Sequence, residues 1–235
     1  MVSSQKLVDV ARGYVGYLEK KSNAKLEDFT ANAGSGNFTI FGQWYEMNGF
    51  AWCAMFVSYC AEKAGIPTSI IPKHASCAMG VSWFKHAGRW HDRKYTPAAG
   101  DIIYFTHDGE TPAHVGIVTG VSGSKVMTIE GNTSGGSTLI ANGGGVAAKS
   151  YPLSYEKILG YGSPAYEEED MTYEQFCDYM DKYLSVAGTG DKPSAWAREA
   201  TEAMKAKGVF NGDGQGNYGW QKPVTREALA VILSK

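Results

Sequence analysis

Apolar residues near the start of the chain recur at three- and four-residue steps. Leu7, Val8, Ala11, Tyr14, Val15 and Leu18 share one face, which predicts an opening helix over residues 2–21. A second helical pattern begins at Cys53 and runs through Ala54-Met55-Phe56-Val57-Ser58-Tyr59-Cys60, and the stripe of the first helix is expected to pack beside it. Between them, residues 31–50 are rich in glycine, asparagine and aromatics and read as a long functional loop. From Pro97 the period changes: a turn feeds a strand ending at Phe105, a second strand covers residues 113–118 and a third 126–132. The last two, joined through Ser122-Gly123-Ser124, read as a hairpin. Glycine clusters at 134–136 and 143–145 mark turns, and residues 147–153 and 158–161 close the sheet. No helix follows either cluster, so neither is a phosphate loop.

After residue 163 strand-like text gives way to the acidic run Glu167-Glu168-Glu169-Asp170 and then to helical text. We therefore divide the chain into a domain over 1–163, a linker over 164–170 and a small helical domain over 171–235. Its helices are expected at 172–184, behind a capping-box pattern of Thr172 and Gln175, at 195–207, and at 226–234 behind Thr225. Thr172-Tyr173-Glu174-Gln175-Phe176 faintly echoes Thr225-Arg226-Glu227-Ala228-Leu229, a degenerate repeat. The predicted class is α+β, with N-terminal helices on an antiparallel sheet, followed by the helical appendage.

Composition narrows the functions. Residues 166–235 hold 8 Lys and Arg against 12 Asp and Glu, and residues 1–165 hold 14 against 12, so neither half is basic enough for nucleic acid. No apolar run approaches the roughly 20 residues of a membrane span. The N-terminus lacks a charged region followed by an apolar core, so no signal peptide is expected. Cys53 and Cys60 lie on one helix, about 10 Å apart by helix rise and too far to bridge. Cys60 is assigned to the core, and a Cys77–Cys177 bridge has no support. There is no CxxC pair, and His74 with Cys77 supplies too few zinc ligands. His74, His86, His91 and His107 are read mostly as surface residues.

The chemistry centres on Cys53. A helix N-terminus has unpaired N–H groups and partial positive charge, which favour a thiolate there. A buried structural cysteine is the alternative for that residue alone. His114 stands at the mouth of the second strand, and on the third strand alternation puts Glu130 and Asn132 on one face, where either suits an imidazole. A thiol, an imidazole and an orienting group in this order follow the logic of a cysteine hydrolase.

Trp52-Cys53-Ala54-Met55-Phe56-Val57, Gly100-Asp101-Ile102-Ile103-Tyr104-Phe105, His114-Val115-Gly116-Ile117-Val118 and Ile129-Glu130-Gly131-Asn132 together resemble the CHAP domain (cysteine, histidine-dependent amidohydrolase/peptidase) over roughly residues 5–162. The resemblance implies a papain-like fold that cuts amide bonds of peptidoglycan. It makes Cys53 the nucleophile, His114 the base, Glu130 the orienting group and Asn132 an auxiliary polar residue. Some members carry an aspartate-rich calcium loop before the cysteine. Here residues 41–50 offer only the acid Glu46, so no calcium, and no other metal or cofactor, is expected. Trp44, Tyr45 and Trp52 are candidates for the substrate groove, with core packing under the loop as the other reading of Trp44 and Tyr45.

Residues from Trp196-Ala197-Arg198 through Val209-Phe210-Asn211-Gly212-Asp213-Gly214 to Thr225-Arg226-Glu227 resemble an S-layer homology motif. That family anchors proteins to cell-wall polymers, which makes Trp196, Trp220 and Arg226 candidate wall-binding residues. The loop at 211–217 has one carboxylate, with Lys222 where a closing glutamate belongs, and is not an EF-hand. The two resemblances imply an amidase or endopeptidase of the endolysin type, made in the host cytoplasm, or secreted had a leader been removed, and acting at the wall. Its partners are peptidoglycan and a secondary wall polymer, with self-association through the C-terminal helices open. A catalytically idle wall-binding protein is the second reading, and a transpeptidase or deconjugating enzyme with the same acyl-enzyme chemistry the third.

Overall fold

The structure, a computed structural model, describes residues 3–136, 144–166, 197–209 and 215. Its contacts divide the chain into two compact units, Met1–Glu169 and Asp170–Lys235. In the first, α1 (Ser4–Gly13), α2 (Ile40–Tyr45), α3 (Cys53–Lys63) and α4 (Cys77–His86) precede a six-stranded antiparallel sheet. Its strands are β1 (Trp90–Asp92), β2 (Ile102–Thr106), β3 (Pro112–Ser122), β4 (Lys125–Thr133), β5 (Gly145–Pro152) and β6 (Ile158–Gly162). The spatial order is β1-β6-β2-β3-β4-β5. In the second unit, α5 spans Arg198–Ala206 and falls within the helix expected over 195–207. The other two helices expected there lie outside the described residues. No helix among the described residues is long and apolar enough to cross a membrane.

Alternation along the strands sends side chains into two cores. Ile102 and Tyr104 of β2, Val115 and Ile117 of β3 and Ile129 of β4 join the helices in the larger one. Ile103, Phe105, Val118, Val126, Tyr151, Ile158 and Tyr161 form the smaller. With both faces covered, all five residues of β2 are buried. The β3–β4 hairpin turns on Gly123 and Ser124, with Gly123 at φ 57°, a left-handed position that glycine adopts without a Cβ clash.

Three expectations need correction. The opening helix stops at Gly13 instead of continuing to residue 21. Gly16, at φ 94°, turns the chain, and Leu18 and Lys20 enter isolated bridges to Gly145, Ala33 and Phe38. Only Leu7, Val8 and Ala11 of the stripe are buried in α1, which packs on α3, while Val15 and Leu18 are partly exposed. The loop expected over 31–50 contains α2, whose N-terminus is capped by the Thr39 hydroxyl accepting from the Gly42 N–H. Finally, α4 and β1 had no counterpart in the sequence reading.

Candidate active site

Trp52 stands at the N-cap of α3, directly before Cys53. Its indole is fully buried, stacks on Phe41 at 5.3 Å and donates Nε1–H to Glu19 Oε2 at 3.0 Å. This corrects the substrate-groove assignment of Trp52: it is a core anchor, because its polar edge is satisfied by a buried carboxylate and its faces by aromatic rings. The next residue, Cys53, is the first of α3, and no side chain caps that helix. Its first-turn N–H groups are left for another acceptor. Gly131 brings α3 against β4, since a Cβ there would lie 2.6 Å from Phe56 Cβ and 2.8 Å from Trp52 Cζ3. The glycine of the Glu130-Gly131-Asn132 triplet is thus a packing requirement.

His114 is fully buried on β3, paired across the ladder with Phe105, whose ring centroid is 5.9 Å from the imidazole. Its Nε2 hydrogen-bonds Glu130 Oε2 at 3.0 Å. Glu130 also accepts from the Thr128 hydroxyl on Oε1 at 2.6 Å and from the Tyr151 hydroxyl on Oε2 at 3.2 Å. A side chain at Gly116 would run into Glu130, its Cβ lying 2.5 Å from Cγ. Glycine there makes room for the carboxylate. His114 Nδ1, the ring nitrogen that Glu130 does not engage, is buried without a hydrogen-bond partner, and Cys53 is near enough to shift the ring's pKa.

The electrostatics follow from these contacts. Cys53 is held well below the ordinary thiol value, first by the hydrogen bond with the Cys77 thiol and then, against burial, by His114 and the Ala54 N–H. Burial would lower the His114 pKa, but Cys53 and Glu130 outweigh it and raise it to about 9. Both shifts favour a thiolate beside an imidazolium held by a carboxylate, the pairing a sulfur nucleophile requires.

Asn132 is buried at the end of β4 with φ 56°, and the β4–β5 register shifts between Glu130 and Thr133. The alternation expected to align it with Glu130 is broken there. Asparagine is among the few residues that tolerate a left-handed backbone, which suits it to this position. Trp44 and Tyr45 are half-buried on α2, with the Lys73 ammonium 4.4 Å from one ring centroid and 5.1 Å from the other. Trp196, Trp220 and Arg226 lie outside the described residues. Among the described residues no group of three or more His, Cys, Asp or Glu side chains is placed to hold a metal ion.

Two features escaped sequence reasoning. Cys77, the first residue of α4, stands with its sulfur 3.8 Å from that of Cys53. The clue was available: Ser76 followed by apolar residues at 77, 81 and 84 is a helix start. His74, expected at the surface, is buried instead. Its N–H donates to the Ser58 hydroxyl at 2.9 Å, that hydroxyl donates to the His74 carbonyl at 2.8 Å, and its Nε2 meets the Tyr104 hydroxyl at 3.1 Å. Gly80 leaves space for this network and ties it to α4, because a Cβ would overlap both His74 and Tyr104. A groove of about 360 Å³ is lined by Ala78, Lys85, Trp90, Glu110, Pro112 and Leu159, with Ala78 adjacent in sequence to Cys77.

Residues 44–132 match the CHAP domain. The CHAP match holds Cys53, His114, Glu130 and Asn132, and ends on the last of them. Residues 190–230 match the S-layer homology domain. No curated protein matches the chain. Among solved structures it is similar to the crystal structure of Ly7917, with 18% identity, a TM-score of 0.40 and coverage of 69% of this chain and 62% of that one. A second structure, Ly7917 with the hydrolyzing product of MDP, gives 16% identity, a TM-score of 0.39 and coverage of 69% and 63%. The chain thus spans somewhat under two thirds of the solved chain it resembles.

Proposed function

We propose that the chain is a cysteine-dependent peptidoglycan hydrolase of the endolysin type, cutting an amide of the stem peptide or cross-bridge at the bacterial wall. The observation that carries the reading is the buried His114–Glu130 pair at 3.0 Å, with Cys53 at the start of α3 electrostatically tied to the imidazole, all within the CHAP match. In this mechanism the Cys53 thiolate attacks the amide carbonyl while the α3 N-terminus, including the Cys53 N–H, steadies the oxyanion. The His114 imidazolium protonates the leaving amine, and the same ring then takes a proton from the water that cleaves the thioester. Glu130 holds the ring by accepting from Nε2 throughout. The S-layer homology segment would keep the enzyme near its substrate, raising its effective concentration there.

The test is digestion of defined muropeptides followed by mass analysis of the products. New amino termini or freed muramyl groups from the wild type, with none from Cys53→Ala, support the reading. Undiminished cleavage by that variant defeats it. A wall-binding protein with an idle hydrolase domain draws on one observation, that Cys53 is only 6% exposed. Binding to walls with no product from the wild type would favour that alternative.

A further inference from the structure

We infer that Cys53 and Cys77 form a reversible redox pair: a hydroperoxide oxidises the nucleophile and Cys77 captures it as an intramolecular disulfide, switching the enzyme off. This goes beyond the hydrolytic reading, and only its activity arm rests on that reading.

Cys53 and Cys77 begin two different helices, and neither helix has a side-chain cap. Their sulfurs are 3.8 Å apart. A disulfide needs that gap closed to a bond of about 2 Å, and rotation about the two Cα–Cβ bonds is the movement that brings the sulfurs together. Cys60, the other described free cysteine, is buried seven residues along α3 and has only desolvation acting on it. The partner is fixed in place as well. The hydrogen bonds of His74 with Ser58 on α3 and with Tyr104 on β2, beneath Gly80 of α4, tie the two helices and the sheet together around the pair.

The chemistry balances in two steps. The Cys53 thiolate attacks a peroxide oxygen, the O–O bond breaks, an alkoxide or hydroxide leaves, and sulfur becomes a sulfenic acid. The Cys77 sulfur then attacks that sulfenic sulfur, its proton leaves with the hydroxyl as water, and the S–S bond forms. A dithiol returns both sulfurs to the reduced state by exchange. Cys77 thereby diverts Cys53 from irreversible oxidation to the sulfinic acid.

The experiment treats the full chain with hydrogen peroxide, blocks remaining thiols with iodoacetamide and maps the peptides by mass. The expected result is a cross-linked pair of peptides holding Cys53 and Cys77, lighter by two hydrogen atoms. Wall hydrolysis should be lost in parallel and regained on adding dithiothreitol. In Cys77→Ala the link is absent, Cys53 gains two oxygen atoms and dithiothreitol restores nothing. Cys77→Ser, closer in size and polarity, should behave the same way if the alanine variant folds poorly, with circular dichroism to check each. Cys53 carried to the sulfinic acid in the wild type while Cys77 is still alkylated would overturn the inference, as would a link from Cys53 to Cys60 or Cys177. The peptide map reads the same whether or not the protein cleaves peptidoglycan, so a failure of the hydrolase reading is separately visible.

Discussion

Two cysteines on one helix, seven residues apart, are driven in opposite directions. Cys60 lies deep in the core, and burial alone pushes its thiol well above the ordinary value. Cys53 is also buried, yet it is held well below that value. Residue type, helix and solvent exclusion are shared, so none of them makes a nucleophile. The difference is the company at the helix start: a thiol donor from α4, an imidazole from β3 and an unspent backbone N–H. The fold's work is to bring those three to the first turn of α3, with Trp52 standing directly before that turn and Gly131 letting it settle on the sheet.

The contrast breaks most sharply with paired alanine variants. Cys53→Ala should abolish wall hydrolysis, whereas Cys60→Ala should leave turnover near wild type and cost stability instead, on the order of 1 kcal/mol for a small buried side chain. Turbidity clearing and thermal melts read the two effects separately. Removing the imidazole takes away the base while leaving the Cys77 hydrogen bond: His114→Ala is expected to lower kcat/KM by roughly 10²–10⁴-fold, the range for a positioned general base. Glu130→Gln tests the support behind the ring. The carboxamide cannot accept hydrogen bonds at every position the carboxylate does, and a buried donor left unmatched costs about 1–3 kcal/mol, so a loss of about ten- to hundredfold is expected. A KM near wild type would mark Glu130 as a positioning residue.

The pH dependence sharpens the same comparison. The acid limb of kcat/KM should lie well below the ordinary thiol value, because Cys53 is shifted down, and the alkaline limb near 9, where His114 loses its proton. Since the folded-state pKa of His114 is raised, its contribution to stability is fully present below its ordinary value near 6.5 and disappears as pH rises through about 9. Cys53, shifted down, contributes with the opposite sign over the same interval, so the ion pair as a whole is expected to leave the melting temperature nearly flat there.

The sequence was a good guide where one period ran unbroken. The strand segments and the hairpin at Gly123 follow from alternation and turn chemistry, and the stripe Leu7, Val8 and Ala11 from helical spacing. It was a poor guide where a single backbone angle or a distant partner decides. Gly16 ends what looks like a continuous helix, Asn132 interrupts the alternation beside Glu130, and α2 lies within glycine-rich text that a local reading takes for loop. Cys77 is 24 residues from Cys53, and no pattern along the chain announces that two helix starts will meet. Trp52 shows the same limit from the other side, since nothing local reveals that Glu19 waits beneath it to accept its N–H.

The central claim, that one thiol of this helix is ionised by its neighbours while the other is not, is tested most directly by the rate of iodoacetamide alkylation against pH, resolved by peptide mass. The account predicts carbamidomethylation at Cys53 with a midpoint well below the ordinary thiol value and Cys60 unreacted in the folded protein. A Cys53 that reacts only at alkaline pH, or no faster than Cys60, would contradict it.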